Sequence, residues 1–342
     1  MGRSYGRTMP NIYAARSVAL LAAAVTMLAG CGSDRSPSAP RTVSSPATSA
    51  SDPASPIAAN TPWITQRIHT GSRPCATLGA AGSVWVADTN DNVVKRLDPA
   101  TGRTVATIAT AAGPCGMAYG AGSIWVEDYT ASAVTRIDVT TAKTTTITVG
   151  ASPYDVTFAG NSAWVTNYGD GTVTRIAADT NTPTTIKVGT NPIGIAHTTG
   201  AVWVADSGSD QLSRIDTTNG KVTTVPFGGS PSWTAYDQNT VWIGDQGAGE
   251  VVRLDARTAK IVRRTKVGTT PNDGDVFNGA VWFPDKAGSL YRLDQRTDAV
   301  TGPFALAAGN PFVVSGYDNR LWIADFGGTD TIVVDPTRLP RR

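Results

Sequence analysis

Three aspartates stand where chemistry could be done. Asp155 lies in Pro153-Tyr154-Asp155-Val156-Thr157, and Asp273 and Asp275 lie in Pro271-Asn272-Asp273-Gly274-Asp275. Carboxylates gathered at one point suit a hard divalent cation such as Ca²⁺ or Mg²⁺, which takes oxygen ligands. An Asp beside such an ion could also act as base in a metal-assisted elimination or hydrolysis. Tyr154, Trp233, Asn272 and Phe312 occupy the same kind of segment and could contact a ligand. Other chemistries find little support. The chain has two histidines, His69 and His197, far apart in sequence. It has no G-x-S-x-G elbow, no C-x-x-C, no H-E-x-x-H and no phosphate-cradling glycine loop.

A repeat makes these segments comparable. Trp85, Trp125, Trp164, Trp203, Trp242, Trp282 and Trp322 follow one another at intervals of 39 or 40 residues. A fixed period near forty marks an array of one supersecondary unit. Each unit opens with Pro and a short run, then turns into the Trp strand, which usually ends in Asp. A polar Gly/Asn/Asp loop follows, then a strand typically ending Arg-(Leu/Ile)-Asp, a Thr/Lys/Gly turn and a β-branched strand. Four short turn-bounded strands per unit are what a propeller blade needs. After Trp322 only one strand remains, around residues 331–335, whereas an unmatched strand stands at residues 63–68. The sequence therefore predicts an all-β, seven-bladed β-propeller with four antiparallel strands per blade. Its ring is closed by the N-terminal strand joining the C-terminal blade, which removes exposed sheet edges.

The pattern resembles the bacterial YVTN/NHL-type seven-bladed propellers, and within them the streptogramin B lyase-like group. The residues that carry it are Pro192-Ile193-Gly194-Ile195-Ala196, Gly200-Ala201-Val202-Trp203-Val204-Ala205-Asp206 and Leu212-Ser213-Arg214-Ile215-Asp216. The resemblance covers about residues 63–337. It implies the fold, and for the lyase group a metal with paired His and a Glu at the tunnel mouth. This chain has no second His near His197, so that catalytic set does not carry over.

Within the repeat each residue has a structural and a functional reading. The tryptophans are expected to pack between blades, since a ligand site has no reason to recur in every blade. Asp88, Asp128, Asp206, Asp245, Asp285 and Asp325, with Asn167, are expected to cap their own loops rather than to form a cation-attracting ring. The residues after the opening proline vary from blade to blade: C-A-T-L, C-G-M-A, Y-D-V-T, I-G-I-A, S-W-T-A, N-D-G-D and F-V-V-S. These lie near the central tunnel, where ligand pockets of such rings are found. Asp155, Asp273 and Asp275 fall in blades three and six, almost opposite, and could hold a divalent ion or simply line a mildly acidic tunnel. Glu127 replaces the Ala87, Thr166, Ala205, Gly244, Pro284 and Ala324 of the other blades. It is expected to reach solvent, the alternative being a specific polar group at the loop face. Cys75 and Cys115 occupy equivalent positions in adjacent blades and could form a disulfide if their Cα atoms lie within about 7 Å.

The first residues belong to targeting. Arg3, Arg7 and Arg16 precede an apolar stretch from Val18 to Leu28 that is too short to span a bilayer, so residues 1–30 read as a signal peptide. Leu28-Ala29-Gly30-Cys31 looks like a bacterial lipobox, which implies lipidation at Cys31 and a cell-membrane location on the extracytoplasmic side. Residues 31–62 are a Ser/Pro/Ala/Thr-rich tether, with an end-to-end distance of roughly 30 Å. Residues 338–342 form a short tail. Losing residues 1–30 takes the formal charge from +2 to −1, leaving no basic block for nucleic acid and no polybasic membrane segment. The favoured reading is a monomeric, lipid-anchored propeller that binds an envelope protein or small-molecule ligand without catalysis. A metal-dependent lyase or hydrolase built on Asp155, Asp273 and Asp275 is the enzyme alternative, and a purely structural envelope module is a third.

Overall fold

The structure is a computed structural model, and it describes residues 61–340. The expected signal peptide, Cys31 and nearly all of the tether lie outside the described residues. Seven sheets of four antiparallel strands account for almost all of the rest. Six blades are contiguous in sequence, and the first runs through strands Pro74–Ala80, Ser83–Asp88, Val93–Leu97 and Thr104–Ala109. The seventh takes its inner three strands from Pro311–Tyr317, Arg320–Asp325 and Asp330–Val334 and its outer strand from Ile64–His69. Ile68 pairs with Thr331 and Ile64 with Val334, so the N-terminal strand closes the ring. The inner strands touch in cyclic order, the seventh returning to the first.

Hairpin chemistry explains the turns between inner and Trp strands. Ala81-Gly82, Ala121-Gly122, Gly160-Asn161, Asn278-Gly279 and Asp318-Asn319 all have positive φ at both positions. That conformation makes the tight two-residue turn whose twist matches antiparallel strands. These hairpins mark one face. The opposite face, called the loop face below, carries the start of each inner strand and the end of each Trp strand.

All seven repeat tryptophans are at most 3% exposed. Each packs into the following blade: Trp125 against Val156, Val165 and Ile176, for instance, and Trp322 against Val84, Val86 and Leu97. Their indole nitrogens mostly donate to an acceptor five residues back, as Trp85 does to the carbonyl of Ala80 at 3.1 Å. The Arg of the Arg-x-Asp motif faces the Trp across the strand pair, and in blades one to five its guanidinium lies 4.7–5.8 Å from the ring. A cation over an indole face is attracted by the ring quadrupole, which accounts for the recurrence of that Arg. The Asp that ends the motif binds its turn, as Asp98 does by accepting from the backbone of Ala100 and Thr101.

Two devices join neighbouring blades. Gly79, Gly120 and Gly316 lie flat against Tyr317, Phe158 and Phe277 of the adjacent blade, where a Cβ would come within about 2.2 Å of the ring. Cys75 and Cys115 are bonded, with Cα atoms 5.1 Å apart, stapling blade one to blade two as expected.

Candidate functional site

Blade three supplies the first part of the site through its inner strand, Pro153–Ala159. Asp155 Oδ1 accepts from the backbone N–H of Val156 at 2.8 Å, and Oδ2 accepts from that of Ile195 in blade four at 3.1 Å. Burial pushes its carboxyl up to about 7, although both N–H groups pull the other way.

Blade six supplies the second part, and its inner strand is unusual. Its regular strand is only Asp275–Phe277, with a separate bridge from Pro271 to Asp285. Upstream, the Asp273 N–H donates to Phe312 and its carbonyl accepts from Val314, so the chain crosses to blade seven. Asp275 repeats the Asp155 arrangement, its two oxygens accepting from Val276 and from Gly316 of blade seven. Burial lifts it to about 6. Asp273 is pushed well above the usual carboxylate range by burial, then by the charges of Asp155 and Asp275. Blades three and six are nearly opposite in the ring, and the charge of Asp155 still bears on Asp273, which sets the two carboxyls in one region of the loop face.

Glu127, on the Trp strand of blade two, is the group that sequence reasoning misplaced. It is fully buried rather than solvated. Its Oε1 accepts from the backbone N–H of Gly116 at 2.8 Å, and its Oε2 is buried without a hydrogen-bond partner. Burial holds its carboxyl well above the usual range, offset in part by the Gly116 N–H and reinforced by Asp128 and Asp155. Gly116 is glycine for a local reason: a Cβ there would lie 3.0 Å from Asp155 Oδ1 and 3.3 Å from Glu127 Cγ. The two acids therefore flank one backbone position.

Tyr154 belongs to the same cluster. Its phenol is held protonated by burial, then by Asp273, Glu127, Asp155 and Tyr129. Its ring centroid lies 6.4 Å from that of Tyr129 and 6.0 Å from that of Tyr168. Tyr129 and Tyr168 were not singled out from the sequence. The available signal was their shared position after the Trp-strand Asp128 and Asn167, held by Thr89, Ser207, Gln246, Lys286 and Phe326 elsewhere.

Other expected site residues serve the fold. Trp233 is 4% exposed and packs near Phe283 in the junction of blades five and six. Its space exists because Gly244 and Gly274 lack side chains. Asn272 is 1% exposed, and its amide donates to the Pro311 carbonyl at 2.8 Å, tying blade six to blade seven. The Phe312 ring packs against Phe326, over which Arg73 lies at 4.0 Å, while its carbonyl accepts from the Asp273 N–H. Among the described residues no group of three or more His, Cys, Asp or Glu side chains could hold a metal ion. The expected ligand set Asp155, Asp273 and Asp275 is therefore not assembled here, because backbone N–H groups of different blades hold the carboxylates of Asp155 and Asp275.

Asp88 and Asp245 cap their own loops as expected, whereas Asp128 and Asp206 bond side chains of the next strand and Asp325 bonds the segment before its inner strand. Asp88 accepts from Arg73, Asn90 and Asp91, and Asp325 from Gly309 and Asn310. At the hairpin face, His197 Nδ1 meets Thr157 Oγ1 at 2.8 Å and its ring lies 4.0 Å from Tyr236. They border a groove of about 470 Å³ with Phe158 and Gln238. His69 is on the outer strand of blade seven beside Asp330, so the two histidines do not form a pair.

No family model matches the sequence, and no curated protein matches it. Solved structures do. A catalytically inactive virginiamycin B lyase from Staphylococcus aureus with quinupristin aligns with TM-score 0.69 and 16% identity, over 79% of this chain and 98% of that one. Kuenenia stuttgartiensis hydrazine synthase aligns with TM-score 0.68 and 13% identity, over 82% of this chain and 99% of that one. At such identities the likeness is one of fold, and one fold hosts many functions. The chain is a seven-bladed β-propeller of the architecture seen in virginiamycin B lyase.

Proposed function

We propose that this chain is an exported, lipid-anchored propeller that binds a ligand or protein partner on its loop face and acts by binding rather than catalysis. One observation carries the reading: the carboxyl groups of Glu127 and Asp155 flank Gly116, and Asp273 of blade six lies within reach of the Asp155 charge, all without a basic partner. None of the ion pairs among the described residues reaches Glu127, Asp155, Asp273 or Asp275. Glu127 is fully buried and the other three acids are half-buried. Acids drawn out of water without a countercharge are expensive for the fold, and such expense is typical of sites kept for a ligand. The engagement of Asp155 and Asp275 by backbone N–H groups supports a holding role for them over that of a free base. The anchor rests on the lipobox-like run ending at Cys31.

The test is a thermal-shift screen of the protein against cationic, anionic, neutral and peptide ligands, beside the Asp155→Asn, Asp273→Asn double variant. A folded-state ligand must raise apparent stability with its concentration. A ligand that stabilises the wild type and spares the variant supports the proposal. A screen in which no ligand distinguishes the two refutes it. The metal-dependent lyase or hydrolase reading draws on the fold likeness to virginiamycin B lyase. It requires a saturable shift with Ca²⁺ or Mg²⁺ that chelator reverses, and fails without one.

A further inference from the structure

We propose that the axial cluster of Glu127, Asp155 and Asp273 takes a small organic ammonium ion, seated beside the rings of Tyr154 and Tyr129. This rests on the ligand-binding reading and names the ligand class for the same site. The decisive atom is Glu127 Oε2, buried and without a hydrogen-bond partner on a side chain that is 0% exposed. A buried polar atom left unmade costs the fold roughly 1–3 kcal/mol, more when charged, so its retention calls for an explanation. An N–H donor of a ligand supplies one.

The geometry discriminates between kinds of cation. Ca²⁺ needs six to eight oxygens at about 2.3–2.6 Å from one point. The described residues present no such group. Both oxygens of Asp155 and of Asp275 already accept backbone N–H bonds, which tie Asp155 to blade four and Asp275 to blade seven. An ammonium group donates over about 2.7–3.2 Å from nitrogen to acceptor and carries its own carbon body, so it needs no closed shell of oxygens around one point. Aromatic rings flanking carboxylates add the attraction of a cation for a π face. Tyr154 and Tyr129 are such rings, 6.4 Å apart, and Tyr154 lies within the electrostatic reach of all three acids.

The charged surroundings are of one sign. Asp128 and Asp155 act on Glu127, Asp155 and Asp275 act on Asp273, and Asp273, Glu127 and Asp155 act on Tyr154. A bound cation would favour their ionised forms, so binding near neutral pH should release protons to the buffer.

The experiment is calorimetric titration of the full chain in detergent at pH 7, with n-butylammonium and 1,4-diammoniobutane chlorides as probes. Potassium and magnesium chlorides at matched ionic strength are the controls. The expected result is saturable binding of the ammonium probes, proton release that scales with buffer ionisation heat, and Kd at least about tenfold higher in Glu127→Gln. The melting temperature of Glu127→Gln without ligand verifies its folding, and Asp155→Asn gives a second variant with the same expectation. Absence of saturable ammonium binding, equal heats with potassium, or unchanged affinity in both folded variants overturns the inference. Saturable heat with magnesium alone overturns it in favour of a metal. If the ligand screen yields only neutral or anionic ligands, this inference falls while the binding reading stands.

Discussion

Replacing Asp128 by Asn should flatten the dependence of stability on pH. Asp128 is fully buried at the end of the blade-two Trp strand, where Oδ2 accepts from Thr135 Oγ1 at 2.7 Å and Oδ1 has no partner. Burial pushes its carboxyl up to about 7 from an ordinary value of 3.8. The folded value lies above the unfolded one, so its stabilising contribution is complete below pH about 4 and is lost as pH rises through about 7. Between pH 5 and 8 the unfolded chain is ionised over roughly two pH units in which the folded protein is not. At about 1.4 kcal/mol per unit, this group then removes about 3 kcal/mol of stability. Blade three carries Asn167 at the equivalent position, and its amide donates to Thr174 Oγ1 at 2.9 Å, so an amide is compatible with the local fold. Denaturant unfolding at pH 5, 6, 7 and 8 would compare wild type with Asp128→Asn. The variant should gain on the wild type by about 3 kcal/mol from the lowest to the highest pH. Parallel profiles, or a variant less stable at pH 8, would refute the reasoning about burial at the loop face.

Three further outcomes test separate parts of the structure. The Cys75→Ser, Cys115→Ser double variant removes a link across 40 residues, and should lose about 2–4 kcal/mol in denaturant unfolding. Gly120→Leu forces a side chain into Phe158, whose ring would lie about 2.1 Å from the new Cβ, and should cost at least about 3 kcal/mol. Adding Phe158→Ala should recover part of that loss; equal losses in single and double variants would contradict the ring-on-glycine contact. Cys31→Ser should move the protein from the membrane to the soluble fraction of the exporting cell, and an unchanged fractionation would rule out the lipid anchor.

The architecture was legible because each blade repeats the same constraints. Seven tryptophans at 39- or 40-residue spacing, with paired strands and tight turns on either side, determine both blade count and closure. The loop-capping role of Asp88 and Asp245 followed from their place before Gly/Asn-rich loops, whereas Asp325 instead holds Gly309 and Asn310. The site was legible only in part. Asp155 and Asp273 stand out because they break the repeat at its inner strands, and the charge of one bears on the other across the ring. Trp233 and Asn272 break it equally, yet they fill a junction and tie two blades together. Sequence variation alone does not say whether a side chain turns toward the axis or into the gap between blades. Glu127 departs from the small residues of the other blades, and the sequence leaves open whether it reaches solvent or serves as a specific polar group. That small size is the mark of a buried position, and Gly116 opposite leaves room for the carboxyl. The aromatic rings on Gly79, Gly120 and Gly316 had no sequence signal, since each contact joins residues about 40 or more positions apart.

The most direct test of the account is whether the axial acids carry protons in the free protein at neutral pH. Infrared difference spectroscopy of wild type against Glu127→Gln at pH 7, in D₂O, reads the carbonyl band of a protonated carboxyl. The account predicts a protonated-carboxyl band in the wild type that is absent from the variant, because Glu127 is buried beside Asp155 without a cation. A spectrum showing only ionised carboxylate for Glu127 at pH 7 would contradict it. The cluster would then no longer call for a cationic ligand.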